Sequence, residues 1–167
     1  ARKQLESGQY LQHLTDIKAL SGLSDDVFND VYMSLLEAFT DKVQSCPDAH
    51  MHNQSWVSVS LERAKIALNV AHASETMDER MMYAAFSAAL CLMMGRLVTE
   101  IQVSLTDGEG RHHRNWLPLN ESLHDVTEYY RVRPMIGMPL RLAEALTPWL
   151  ARSVMPDMGI TWLADDP

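Results

Sequence analysis

Residues 80 to 98 form the stretch that most limits how this chain can fold. The run Tyr83-Ala84-Ala85-Phe86-Ser87-Ala88-Ala89-Leu90 is rich in small residues and apolar almost all round, so a helix there has no polar face to turn to water. Such a helix has to lie at the centre of the fold, with other helices around it. Asp78 and Glu79 place acids at its start, where they complement the helix dipole.

The surrounding elements follow from spacing. Tyr10, Leu11, Leu14, Ile17 and Leu20 predict a helix over 9 to 20 with Gly22 as its stop. Ser24 precedes Asp25 and Asp26, and Val27, Phe28, Val31, Leu35, Leu36, Phe39 and Val43 then give a second, capped helix ending near Pro47. After a polar segment from Asp48 to Ser55, the residues Val57, Leu61, Ala64, Leu68 and Ala71 mark a third. Periodicity changes to two in Glu100-Ile101-Gln102-Val103-Ser104-Leu105. The turn Asp107-Gly108-Glu109-Gly110 and a polar return to Trp116 complete a β-hairpin. Asn120 caps a short helix, Thr127 to Val132 alternates like a strand, Pro139 opens one helix and Thr147-Pro148 another, and Ile160, Trp162 and Leu163 close the chain. The expected fold is mainly α, a helical bundle with a small hairpin or sheet.

The chain has 167 residues, one domain's worth, enough to bury roughly two thirds of its unfolded surface. The absence of a starting methionine and the closing Asp165-Asp166-Pro167 predict a piece of a longer protein. No apolar run approaches the ~20 residues of a bilayer span, and the amino terminus lacks a signal sequence, which predicts a cytoplasmic location. Cys46 and Cys91 are too few for a disulfide framework, and neither reads as a nucleophile. The formal charge of -8 opposes non-specific attraction to a phosphate backbone, so any nucleic-acid contact has to be local.

Four pieces occur in an order that resembles the TraI-like domain of MobH-group relaxases, carried by integrating conjugative elements and some plasmids. They are Ser45-Cys46-Pro47-Asp48-Ala49-His50-Met51-His52, the central Tyr83-to-Leu90 run, Asp107-Gly108-Glu109-Gly110-Arg111 leading to Trp116-Leu117-Pro118-Leu119, and Leu146-Thr147-Pro148-Trp149-Leu150. The resemblance implies an HD-type domain, in which three histidines follow the second helix and a His-Asp pair ends the central helix. A hydrolytic metal needs imidazole and carboxylate ligands around an open position. Against that pattern this chain keeps His50 and His52, places Met51 between them, and puts Leu92 and Met93 where the His-Asp pair is implied. Leucine cannot coordinate, and a thioether suits hard metals poorly. The resemblance therefore implies a degenerate site at His50, His52, Leu92 and Met93, with no catalytic residue, metal or cofactor.

Other groups carry two readings each. His50 and His52 are two metal ligands without a third, or surface residues of a polar loop. Arg111, His112, His113 and Arg114 form a basic patch on the hairpin that touches phosphate, or a solvated tip. Arg131 and Arg133 share one face of a strand and extend that patch, or pair with the many acids. His124-Asp125 is a His-Asp dipeptide outside the central helix. Met81, Met82, Met93 and Met94 read as adaptable core filling. Trp56, Trp149 and Trp162 belong to a docking surface or to the core.

Three functions follow. One is a non-catalytic module of a mobile-element protein that contacts DNA or other conjugation proteins. Another, of a different class, is an active relaxase or metal-dependent phosphohydrolase with a rearranged site from His50, His52, His124 and Asp125. The third is a DNA-binding module using Arg111, Arg114, Arg131 and Arg133. No glycine-rich phosphate loop, Gly-x-Ser-x-Gly elbow or Cys-x-x-Cys pair is present.

Overall fold

A computed structural model describes residues 1–44, 46–47, 54–74, 76–126, 129–135 and 138–164. The fold is mainly helical with one small antiparallel sheet, as the periodicity predicts. The helices are α1 (Arg2–Leu5), α2 (Gly8–Ser21), α3 (Asp25–Phe28), α4 (Ser34–Val43), α5 (Trp56–His72), α6 (Glu79–Cys91), α7 (Arg96–Thr99), α8 (Leu123–Val126), α9 (Leu140–Val154) and α10 (Asp157–Ala164). The strands are β1 (Ile101–Thr106), β2 (His112–Asn115) and β3 (Tyr130–Pro134).

Several boundaries have direct physical causes. Gly22 ends α2 in the left-handed conformation at φ 68°, which glycine adopts without a Cβ penalty. Ser55 and Asp78 cap α5 and α6, their side-chain oxygens accepting from the backbone N–H of Ser58 and Met81. The second predicted helix is continuous from Asp25 to Val43 but contains a π segment, Asn29–Met33. There the Asn29 carbonyl accepts the Ser34 backbone N–H across the wider turn and also the Ser34 Oγ at 3.0 Å.

The all-round apolar stretch does occupy the middle. Tyr83, Phe86, Leu90 and Cys91 of α6 are buried, and Tyr32 of the π segment meets Tyr83 and Phe86 with ring centroids 5.0 and 4.9 Å apart. Such aromatic pairs add to the stabilisation that comes from burial alone. Trp162 of α10 closes over Tyr83 at 5.5 Å. Contrary to the expectation that no apolar run approaches a bilayer span, residues 79–99 are long and apolar enough, by length and composition alone, to cross one. Half of that stretch is buried inside the fold, and packing against α5, α9 and α10 accounts for its composition.

Three expectations are corrected. The central helix is not continuous to Val98: residues 92–95 form a turn, and α7 follows. The cause lies at Gly95, where an added Cβ would stand 1.8 Å from the Ala143 carbonyl oxygen of α9. Only glycine lets the two backbones approach so closely. Thr147-Pro148 does not begin a new helix, since α9 runs through both. Pro148 and Glu144 lie on the exposed side, where water can serve the Glu144 carbonyl that the missing N–H leaves free, while Thr147 Oγ1 donates to the Ala143 carbonyl at 2.9 Å. Asn120 lies in a turn, and the short helix begins three residues later, at Leu123.

The sheet has the order β2-β1-β3 with both pairings antiparallel. Alternation along β1 buries Ile101, Val103 and Leu105 against the helices and turns Gln102 and Ser104 outward. The sheet thus has one face on the core and one open face.

Candidate nucleic-acid interface

Strand register decides which polar residues meet. On β3, Tyr130 and Val132 are half-buried, and Arg131 and Arg133 are exposed. Arg131 stands opposite Ser104 and Arg133 opposite Gln102, so both guanidiniums belong to the open face, about 6.6 Å apart along the strand. Across β1, Ser104 stands opposite Asn115 and Thr106 opposite His112, after an irregularity between Leu105 and Thr106. These residues, with Gly110, line a polar concavity of about 400 Å³ that holds no carboxylate.

The interior of the concavity is ordered by its own hydrogen bonds. Asn115 Oδ1 accepts from Ser104 Oγ at 3.2 Å and from His112 Nε2 at 3.3 Å. Because an amide oxygen can only accept, the second contact requires the His112 proton on Nε2. The left-handed Gly110, φ 79°, leaves room for Arg131, whose Nη2 would lie 2.6 Å from a Cβ at that position.

The other cations of the expected patch are engaged elsewhere. Arg111 Nε is 2.8 Å from Asp107 Oδ2, and its Nη2 is 3.3 Å from Glu109. The Arg111 side chain, the largest cause, and the backbone N–H groups of Arg111 and Glu109 on Asp107 Oδ1 hold the Asp107 carboxyl below its ordinary range. Arg114 stands opposite Leu105, on the side of the sheet away from the concavity, and pairs with Glu121. His113 is exposed on β2 outside the lining. Of the six residues in the patch, Arg131, Arg133 and His112 converge.

Leu92 and Met93 lie at the turn after α6. Leu92 is 55% exposed, and Met93 is partly buried against the core. Together they face Leu140, Ala143, Glu144 and Thr147 of α9 across a concavity of about 240 Å³, with Arg96 at its edge. One carboxylate, no imidazole and no thiolate in that lining do not fit a hydrolytic metal. His50, Met51 and His52 lie outside the described residues.

His124 and Asp125 are on α8, beside the end of α4. His124 Nδ1 is 3.1 Å from Gln44 Nε2 and 3.9 Å from Asp41. Among the described residues no three His, Cys, Asp or Glu side chains converge on a common point. Nearby, Lys42 is buried, and its ammonium is pushed below the usual lysine range by desolvation, opposed by the charges of Glu121 and Asp125.

Both cysteines are buried, and burial pushes each thiol up to about 12, which fits structural rather than nucleophilic groups. Of the four methionines expected to fill the core, Met82 and Met94 are buried and Met93 is partly so, but Met81 is exposed and does not belong to it. Trp56 belongs to the core at 1% exposure, while Trp149 is 75% exposed. Sequence reasoning missed Gln102, Ser104, Asn115 and Gly110 as site residues. The period-two alternation of β1 carried a signal for the first two, but which residues of β2 join them depends on register.

A helical domain that backs a three-stranded sheet and leaves one polar, cation-bearing face open is the class that these features define. Residues 2–167 match the family TraI_2, described as "Putative helicase", and the chain belongs to that family: it is a TraI-like module of conjugation. No curated protein matches it.

Proposed function

We propose that this chain is a non-catalytic module, an HD-type shell of the MobH kind without its metal ligands, that contacts DNA during conjugative transfer through the open face of its sheet. The observation that carries the reading is the side-by-side placement of Arg131 and Arg133 over a concavity free of carboxylates, in a chain with a formal charge of -8. Neither arginine has an ion-pair partner among the described residues. Two unneutralised guanidiniums maintained in an acidic protein make a local anion site. The apolar residues Leu92 and Met93 support the absence of inherited hydrolytic chemistry. The sequence has no phosphate-binding loop of the kind that powers a helicase, so the reading assigns no helicase motor to these residues. A cytoplasmic location belongs to the same reading.

Titration of labelled DNA at several salt concentrations tests it. Binding weakens with salt, and the Arg131→Ser/Arg133→Ser double variant reduces the slope of log affinity against log salt by about 1 per arginine. Absence of salt-sensitive binding at low ionic strength refutes the interface.

A second reading, a rearranged phosphohydrolase centre, is favoured by one contact. His124 bonds to Gln44 at the end of α4, the helix that leads towards His50 and His52 in sequence. Metal analysis after purification without chelator, with a phosphodiesterase assay over Mn, Mg, Ni and Fe, decides between them. Stoichiometric metal with activity that is lost in His50→Ala or His52→Ala establishes the enzyme.

A further inference from the structure

The concavity offers more than positive charge. A phosphate needs donors only, and Arg131 and Arg133 supply them. The same recess also presents the carboxamides of Gln102 and Asn115 and the hydroxyl of Ser104, groups that donate and accept side by side. That mixture is redundant for a phosphodiester backbone. It matches the edge of a nucleobase, where donors and acceptors alternate.

From this juxtaposition we infer that the open sheet face takes one unpaired nucleotide of a single-stranded segment, with its phosphate at Arg131 and Arg133 and its base edge at Gln102 and Asn115. The inference rests on the DNA-contact reading above and deepens it.

Three features support an unpaired nucleotide over a duplex. First, the volume of about 400 Å³ lies in the range of small-ligand pockets, about 300–1,000 Å³. Second, the amides line a recess, whereas a duplex is read by an element that protrudes into its groove, so a duplex would offer phosphates to the rim and leave the amides idle. Third, Asn115 is set in advance: its oxygen is committed to Ser104 and His112, which directs its NH₂ group away from them as a donor. An aromatic surface stands nearby. Tyr129, 54% exposed, precedes Arg131 by two residues, and its backbone oxygen accepts from Thr106 N at 3.0 Å, extending the ladder. Its ring approaches the turn, Cε2 lying 3.9 Å from a Cβ built at Gly108, where a flanking base can stack.

Two other concavities among the described residues lack this chemistry. The groove of Asp16, Ala19, Leu20, Lys65, Ile66 and Asn69 is mainly apolar, as is the one at Leu92 and Met93.

Fluorescence anisotropy on the full chain tests the inference with a short labelled DNA strand, its blunt duplex, and a free deoxynucleoside monophosphate as competitor. The single strand binds about tenfold tighter than the duplex at equal salt. Gln102→Leu weakens single-strand binding about tenfold and leaves the salt slope unchanged, because a base contact is lost and no phosphate contact; Asn115→Leu does the same. The Gln102 side chain makes no hydrogen bond among the described residues, so its variant keeps the test sound if Asn115→Leu disturbs the fold. Equal affinity for strand and duplex, with both amide variants like wild type, overturns the inference and leaves DNA contact standing. Displacement of the strand by an equal concentration of free nucleotide also overturns it. Absence of binding by either DNA overturns both readings.

Discussion

Arg114 and Glu121 meet in a two-point pairing, Nη1 to Oε1 at 2.6 Å and Nη2 to Oε2 at 2.7 Å. Glu121 Oε1 also accepts from the Leu117 backbone at 3.0 Å, and the Glu121 carbonyl accepts from Trp116 Nε1 at 3.2 Å. The pair therefore ties β2 to the loop that follows it, and it consumes a cation that the sequence placed in a DNA patch. Arg114→Ala should leave DNA affinity nearly unchanged while lowering the melting temperature by a few degrees. Arg131→Ser should do the reverse. Thermal melts and DNA titrations of the two variants separate structure from binding.

Acid should weaken the same tie. The Glu121 carboxyl is held below its ordinary 4.5, first by the Arg114 hydrogen bond, and Asp107 below its ordinary 3.8, first by Arg111. A carboxyl whose value is lower in the folded state contributes stability that is fully present above its unfolded value and is lost as pH falls through the folded one. Urea midpoints should fall as pH drops below about 4.5. In Arg114→Ala that decline should be shallower, because the glutamate no longer has a partner whose loss protonation can register.

Gly110→Ala should reduce DNA binding more than it reduces stability. The left-handed backbone costs an alanine about 1 kcal/mol. The new methyl would also meet Arg131 Nη2 at 2.6 Å, and the flexible guanidinium would move out of its place over the concavity. The check is a several-fold loss of single-strand affinity with a modest change in the urea midpoint.

Gly95→Ala should act on the fold itself. Its Cβ would stand 1.8 Å from the Ala143 carbonyl oxygen and 2.8 Å from Thr147 Oγ1. The first contact is backbone, so α9 has to move as a whole. It would lose the bond from Gly95 N to Thr147 Oγ1, 3.1 Å. Overpacking of this kind costs about 1–3 kcal/mol or more. A urea midpoint unchanged from wild type would show that α9 does not approach the turn as described.

Much of the architecture was legible because it rests on local rules. Ser55 and Asp78 cap helices, Gly22 stops one, and β1 alternates, each through interactions within a few residues in sequence. The break at Gly95 and the continuity of α9 through Pro148 were not legible. Gly95 in an apolar run reads as a tolerated glycine until Ala143, 48 positions later in sequence, is brought against it. Pro148 reads as a helix start until the exposed side of α9 shows where the Glu144 carbonyl, left without its N–H partner, meets water.

The candidate interface divides in the same way. Alternation by itself determined that Arg131 and Arg133 share a strand face, and composition determined that any nucleic-acid contact in so acidic a chain is local. Tertiary structure decided which cations remain available: Arg111 and Arg114 lie in the same sequence cluster as His112, yet Asp107, Glu109 and Glu121 neutralise them. It also brought Gln102, Ser104 and Asn115 beside the two arginines. The physical reason is that periodicity fixes only the side of a strand on which a residue lies, whereas the partner it meets depends on inter-strand register and on loops that fold back. Those are set by the whole core at once.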